Sequence, residues 1–210
     1  MNEEIELHNV IQKVVQAETE NFAELAQIAG LDIKRDFVKA NLRGTDLRDA
    51  ELRDANLSGV NLSHANLSGA DLTNASLRNA NLKNANLSWA DLSSVILSLA
   101  LLCEADLNFA ILRDANLTSA DLSLAFLEDA NLSSANLNLA ILSNANLNGA
   151  DLSFAIFTNA YLCGADLRNS NLRNTNLMRA NVKNACFGNN AGISTVMRQD
   201  LIRRGAIFDD

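Results

Sequence analysis

A single five-residue pattern dominates this sequence. From Ala40 to Asn189 the phrase Ala-(Asn/Asp)-Leu-x-x occurs thirty times without a break in register. We call the Leu position the centre of each repeat; 27 of these centres are Leu, and Ala stands two positions before 25 of them. A period of five matches neither the 3.6 residues of a helix nor the alternation of a long strand. The repeating unit must therefore be shorter than either element.

The order of residues within the repeat predicts a very short strand followed by a bend. Ala and Leu are two positions apart, so in extended backbone both point inward and the Asn or Asp between them points outward. That Asn or Asp can hydrogen-bond the backbone of the turn that follows. Stacked units would bury a continuous column, in which small Ala beside large Leu suits a narrow interior. The absence of Pro fits a ladder that uses nearly every N–H group.

The pattern resembles that of the pentapeptide-repeat family, A(D/N)LXX. The resemblance covers about 150 of the 210 residues, in thirty consecutive copies. It implies a mainly β fold, a right-handed quadrilateral parallel β-helix in which four pentapeptides form one coil. Thirty copies would then form a solenoid of about 7.5 coils.

The residues outside the repeat predict helices at both ends of the column. An apolar stripe indicates a first helix over 3–17, and a second follows, capped by Asn21 and ended by Gly30. The second helix contains the phrase FAELAQIAGL, which is similar to cyanobacterial members of the family. Its buried face is predicted to consist of Phe22, Leu25, Ala26 and Ile28. These helices are expected to cover an open end of the column, with docking of a partner as the alternative.

The C-terminal region is predicted to form a further cap. Phe37 is expected to act as an early centre, and Ser194 to cap a final helix whose inner face holds Val196, Met197 and Leu201. Ala206-Ile207-Phe208 has the composition of one more repeat core. The predicted organisation has three parts: an N-terminal helical cap at 1–36, the pentapeptide-repeat β-helix at 37–189, and a C-terminal helical cap and tail at 190–210.

Composition disfavours several classes of protein. The net charge is −8 and the isoelectric point about 4.7, whereas direct binding to nucleic acid needs a basic surface. No stretch has the length and hydropathy of a membrane span, and the acidic first residues are unlike a secretory signal. The three cysteines lack CxxC spacing, which indicates reduced thiols and a cytoplasmic location.

The residue types needed for catalysis are scarce. The two histidines, His8 and His64, are not expected to lie near a nucleophile or near each other. Leu and Ala fill the predicted interior, which leaves no pocket for a small-molecule substrate or a cofactor. The sequence therefore predicts neither an enzyme nor a metal site.

The middle coils carry unusual outward residues. Residues 86–165 contain eight acids and one base. Their outward positions also hold large apolar side chains, which we call the apolar belt and consider candidate partner-binding residues: Trp89, Leu99, Leu101, Phe109, Ile111, Leu124, Phe126, Leu139, Ile141, Phe154 and Tyr161. A coil of four repeats places Trp89 beside Phe109. Single exposed apolar residues are common on proteins, but contiguous patches are typical of interfaces or of self-association.

Three functions remain open at this point. The first is a non-enzymatic protein-interaction scaffold, a regulatory one included, with an unidentified protein partner or a second copy of itself. The second, implied by the resemblance, is a DNA mimic that modulates a type II topoisomerase such as gyrase. The net charge is −5 for residues 1–36, −3 for 37–189 and 0 for 190–210, so little of it lies along the column. The third is a purely structural protein.

Overall fold

The structure, a computed structural model, describes residues 22–209. Its regular elements in chain order are α1 (Phe22–Ile28), β1 (Cys186–Phe187), α2 (Thr195–Arg203) and β2 (Ile207–Phe208). The predicted helix over 3–17 and the predicted cap Asn21 lie outside the described residues. Within residues 22–209, neither helix is long and apolar enough to cross a lipid bilayer.

Between α1 and β1 the backbone forms a parallel β-helix of single-residue strands. The residue before each centre pairs in parallel with the residue 20 positions later, from Asn41↔Asn61 to Asn171↔Ala191. Four pentapeptides therefore complete one coil. The strands are this short because a turn begins two residues after each bridge.

An ordinary repeat uses all five of its backbone N–H groups. In the repeat centred on Leu107, two N–H groups donate to the following coil, one to the preceding coil, one to the previous turn and one to a side chain. The five bonds are Leu107 to Phe126 O at 2.7 Å, Phe109 to Glu128 O at 2.9 Å, Asp106 to Ala85 O at 2.9 Å, Ala105 to Leu102 O at 3.1 Å, and Asn108 to Asp106 Oδ1 at 3.0 Å. A Pro at any position would remove one of them, which explains its absence.

The side-chain bond recurs throughout the column. Every Asn or Asp before a centre, from Asn41 to Asn181, accepts from the N–H group two residues later at 2.9–3.4 Å. This is the Asx turn expected from the sequence. It explains why Asn and Asp dominate a position that points to solvent.

Every corner has the same backbone conformation. The residue two after each centre has a φ between +52° and +72°, at each fifth position from Lys39 to Asn189. Together with the bond from the next Ala N–H to the centre carbonyl, this defines a type II turn. Asn, Asp and Gly adopt positive φ at least cost, and they occupy many of these corners. The sequence predicted the corners but not this conformation at each of them.

The inward columns form one uninterrupted core. Each centre, and each residue two positions before it, is at most 1% exposed from Leu52 to Leu172. The one hydroxyl in these columns that is fully buried, on Ser170, donates to the Leu167 carbonyl at 2.7 Å. Full burial of one Leu side chain contributes about 2 kcal/mol. The core is thus a stack of near-identical layers rather than a single central cluster.

The N-terminal helix packs against this core. Gly30 ends α1 at φ +77° in a Schellman motif, with the Leu31 N–H bonded to Ala26 O at 2.8 Å. Ala26 and Phe37 are buried in the same cluster as the columns, so Phe37 acts as an early centre. In the predicted buried face, Ala26 is buried, whereas Leu25 and Ile28 are half-buried.

The C-terminal segment continues the ladder. β2 pairs in parallel with β1, with Ile207 opposite Cys186 and Phe208 opposite Phe187. The tripeptide at 206–208 therefore does act as one more repeat core, although it lies one position later in the chain than the regular coil spacing would place it.

The final helix lies over the last coil. The Ser194 hydroxyl caps α2 by accepting from the Met197 N–H at 3.2 Å, and Leu201 is fully buried. The Arg204 guanidinium donates from Nη1 to two carbonyls of that coil, those of Leu177 and Ala180, each at 3.0 Å. The prediction that Val196 faces inward was wrong: its side chain is 75% exposed. Its position in the first turn of α2 points it away from the column.

The layered core predicts that truncating two leucines in neighbouring repeats will change the free energy of unfolding by very different amounts. Leu107→Ala removes a fully buried side chain and should lower the free energy of unfolding by about 2–5 kcal/mol. The matched control Leu101→Ala, which alters an exposed side chain, should change it by less than about 0.5 kcal/mol. Guanidinium denaturation followed by circular dichroism measures both; equal effects would contradict the layered core.

Candidate interaction surface

All eleven residues of the apolar belt are exposed, from 37% for Ile141 to 65% for Trp89. They occupy two positions of the repeat. Six are corner residues with positive φ: Trp89, Leu99, Phe109, Leu124, Leu139 and Phe154. The other five are the bridging residues before a centre: Leu101, Ile111, Phe126, Ile141 and Tyr161.

The structure brings some of these residues into direct contact. The rings of Trp89 and Phe109 stack with centroids 4.4 Å apart and planes 13° apart, as the coil of four repeats predicted. On another face Leu101 pairs with Asp121, which in turn pairs with Ile141. Corner residues three repeats apart, such as Phe109 and Leu124, occupy neighbouring corners. The belt therefore winds around the column rather than lining one face.

The corner residues of the belt adopt an unfavourable backbone conformation. A bulky side chain in the left-handed region costs roughly 1–2 kcal/mol, whereas Asn or Gly avoids most of this cost. Leu124, Leu139 and Phe154 have φ values of +60° to +61°. Each adds an exposed apolar surface to a strained turn, so local stability does not explain its presence.

The bridging residues of the belt also give up an interaction. None of these five side chains has the carbonyl or carboxylate oxygen with which Asn or Asp accepts from the N–H group two residues later. Phe126 is one example, and there the N–H of Glu128 is bonded instead by the Asn108 side chain of the preceding coil at 2.8 Å. The belt residues thus stand where an ordinary repeat has its two stabilising residue types: Asn or Asp before the centre, and Asn, Asp or Gly at the corner.

Four of the eight acidic residues of the middle coils lie beside belt residues on one face. We call this the Leu107 face; its inward column includes Leu87, Leu107, Leu127 and Leu147. Its apolar residues are Trp89, Phe109, Leu124 and Phe126, and its acids are Glu104, Asp106, Glu128 and Asp129. Glu104 lies one coil from Leu124, Asp106 pairs with Phe126, and Asp129 lies one coil from Phe109.

The carboxylates of the Leu107 face have no cationic partner in the part of the chain that the structure describes. Outward positions of this face carry no Lys or Arg from Asn84 to Gly149. Arg113, the one base of the middle coils, lies on the next face beside Asp114 at 3.7 Å. The number of acids was known from the sequence. That four of them share a face with Trp89 and Phe109 becomes clear only from the pairing between coils and the positions of the corners.

The side chain of Cys103 lies half-buried beside Asp121. Burial raises the pKa of Cys103 to about 11, and its hydrogen bond to Asp121 adds to this effect. At neutral pH the group is therefore a thiol rather than a nucleophilic thiolate. All three cysteines are free. Among residues 22–209 no three His, Cys, Asp or Glu side chains are placed to hold a metal ion.

The comparisons with known proteins agree with this architecture. A family model described as pentapeptide repeats matches in eight copies, over residues 36–74, 61–98, 96–133, 125–161 and 155–189. A search of curated proteins found no match.

Three of the solved structures that match this chain are those of HetL, QnrB1 and a protein from Arabidopsis thaliana. HetL, a pentapeptide repeat protein involved in heterocyst differentiation regulation in the cyanobacterium Nostoc sp. strain PCC 7120, is 30% identical; the match covers 80% of this chain and 97% of HetL, with a TM-score of 0.38. A trypsin-treated form of QnrB1, a plasmid-mediated fluoroquinolone resistance protein, is 19% identical over 86% of both chains, with a TM-score of 0.61. A pentapeptide repeat protein from the Arabidopsis thaliana thylakoid lumen is 28% identical over 55% of this chain and 67% of its own length, with a TM-score of 0.38.

The family model covers well over half of the chain, and the ladder, the turns and the buried Leu and Ala columns form the corresponding fold. The chain belongs to the pentapeptide repeat family, whose members fold as parallel β-helices.

Proposed function

We propose that this protein is a non-enzymatic interaction scaffold that binds a protein partner through the apolar belt. Proteins of this family are in general structural or interaction scaffolds without enzymatic activity. One observation carries the proposal: large apolar side chains occupy corners with positive φ, where they are both exposed and strained. Strain that stability does not explain is typical of functional sites.

The proposed scaffold has the three parts expected from the sequence. A right-handed column of about 7.5 coils over 37–189 presents the belt, counted as thirty repeats at four per coil. The segments at 1–36 and 190–210 act as caps; the packing of Ala26 and Leu201 against the end coils supports this role. A cytoplasmic location suits the reduced thiols. The partner is a protein, a second copy included, rather than nucleic acid, a membrane or a small molecule.

A second candidate is a DNA mimic that modulates a type II topoisomerase such as gyrase. The acidic Leu107 face favours it, because an acidic rod can occupy a site that binds DNA phosphates. Restriction of this charge to the middle coils weighs against it. A purely structural role is the third candidate, and it leaves the strained corners unexplained.

The proposal predicts that removing part of the belt stabilises the fold. The variant Leu139→Asn/Ile141→Asn relieves a strained corner and supplies an acceptor for the Ser143 N–H group. It should raise the free energy of unfolding by about 1 kcal/mol. In the same bridging column one coil earlier, Asp121→Asn keeps an acceptor for the Ser123 N–H group and should change the free energy of unfolding by less than about 0.5 kcal/mol. Chemical denaturation measures both; a destabilised first variant would show that the belt serves the fold.

The proposal also predicts loss of a partner. The variant Trp89→Ser/Phe109→Ser/Phe126→Ser should fold normally and fail to retain a protein that the wild type captures from a lysate of the source organism. A matched control, Asn74→Ser/Asn79→Ser/Asn174→Ser, changes three exposed corner residues outside the Leu107 face and should retain it. Quantitative mass spectrometry compares the captured proteins, and sedimentation velocity of the purified protein detects self-association. Equal capture by all three proteins would reject the belt as the binding surface.

The topoisomerase alternative has its own assay. A DNA mimic should inhibit supercoiling by purified gyrase, and replacing Glu104, Asp106, Glu128 and Asp129 by their amides should abolish the inhibition. Undiminished supercoiling at excess protein removes this alternative.

A further inference from the structure

We propose that the Leu107 face binds a partner segment in which arginine side chains alternate with apolar ones. This inference rests on the proposed function and names the chemistry of the partner. It concerns one sector of the belt, where four apolar side chains and four carboxylates share a single face. The neighbouring face shares the corner column of Trp89, Phe109 and Asp129 and also carries Asp91, Asp114 and Asp151, but there Arg113 lies beside Asp114 at 3.7 Å.

The apolar part of the face can bury a partner side chain. Trp89 and Phe109 form a stacked pair that is 65% and 40% exposed, respectively. Across the face lie Leu124 and Phe126, each 49% exposed. Exposed aromatic groups of this kind act as anchors at protein interfaces, because they bury a large area at low cost in side-chain entropy.

The carboxylates of the face determine which charge a partner must carry beside its apolar side chains. Covering these apolar groups brings a partner within one coil spacing, about 5 Å, of four carboxylates. Within residues 22–209 none of the four has an ion pair to stabilise it on burial. A neutral or acidic partner would therefore desolvate unpaired negative charge, which costs free energy, whereas a cationic one would neutralise it.

The mixture of groups favours arginine over lysine. A guanidinium group stacks on aromatic rings and binds a carboxylate with two parallel hydrogen bonds, whereas an ammonium group is more strongly hydrated and binds as a point charge. Asp129 and the stacked rings of Trp89 and Phe109 follow one another along the same corner column, each one coil from the next. One guanidinium could contact both kinds of group there.

A defined peptide tests the inference. The probe is a fluorescein-labelled peptide in which Arg-Leu-Ser is repeated four times, compared with peptides that replace Arg by Lys, Arg by Glu, or Leu by Ser. Anisotropy measures the affinity, and an unlabelled peptide changes the emission of Trp89, the single tryptophan of the chain. We expect the Arg-Leu-Ser peptide to bind tightest, the Lys peptide several-fold weaker, the Leu-free peptide about tenfold weaker and the Glu peptide not at all.

Two charge variants separate a defined surface from general attraction. Replacing Glu104, Asp106, Glu128 and Asp129 by their amides should weaken binding about tenfold or more. Replacing Asp36, Asp49, Glu51 and Asp54 by their amides removes the same charge from the first coils and should weaken binding less than about threefold. Equal losses in the two variants, equal affinity for the Arg and Lys peptides, or an unchanged Trp89 emission would each overturn the inference.

The charge variants also keep this inference distinct from the proposed function. If the partner captured by the wild type is lost from the Trp89/Phe109/Phe126 variant but kept by both charge variants, the belt binds a protein that is not cationic. The inference then fails while the proposed function stands. If the partner is kept by all variants, the proposed function fails as well.

Discussion

The structure depends on the complete use of backbone N–H groups within the ordinary pentapeptide. Four of the five bonds run from backbone to backbone and do not depend on which side chain points outward. The fifth needs an Asn or Asp oxygen, and the corner prefers a residue that tolerates positive φ. Stability is therefore set by the two inward positions of each repeat and influenced by two of its outward positions. The remaining outward position, just after the centre, varies freely among Ser, Arg, Asn, Thr, Lys and others.

Because the inward positions determine most of the stability, the outward positions of a rigid column can carry a surface that is not selected for stability. A globular domain that exposed eleven large apolar residues would risk rearrangement of its core, whereas here the layers beneath them remain those of an ordinary repeat. The middle coils use that freedom: the strained corners and the missing side-chain acceptors are tolerated because neighbouring coils hold the backbone in register. Such a trade of local stability for a surface property is common in natural proteins.

The repeat period allowed most of the fold to be predicted, because pairing between successive coils follows once a coil contains four units. The stacking of Trp89 on Phe109 follows from that period together with the coil of four repeats that the family resemblance implies, and the helix cap at Ser194 follows from local sequence. The inward placement of Val196 was wrong because helical periodicity does not reveal which face of a short terminal helix meets the column. The positive φ of corners such as Leu124 could not be read from residue type, since leucine gives no sign of it. The acidic face was equally hidden, because its two pairs of acids, Glu104/Asp106 and Glu128/Asp129, belong to successive coils and meet only through the pairing between coils.

The pairing between coils has a geometric consequence for the two ends of the molecule. α1 packs on the first coils through Ala26, and the segment that follows it is bonded to the column at the Ile33 carbonyl. At the other end α2 packs through Leu201 and β2 pairs with β1. The relative orientation of the two ends is therefore set by the number of repeats between them. Adding or deleting one pentapeptide would turn one end relative to the other by about a quarter of a revolution, whereas a change of four would alter only their separation. The number of repeats thus sets the angle between the two ends of the column. Gain or loss of a single repeat would rotate the surface presented at one end relative to the other, with the sequence of both ends unchanged.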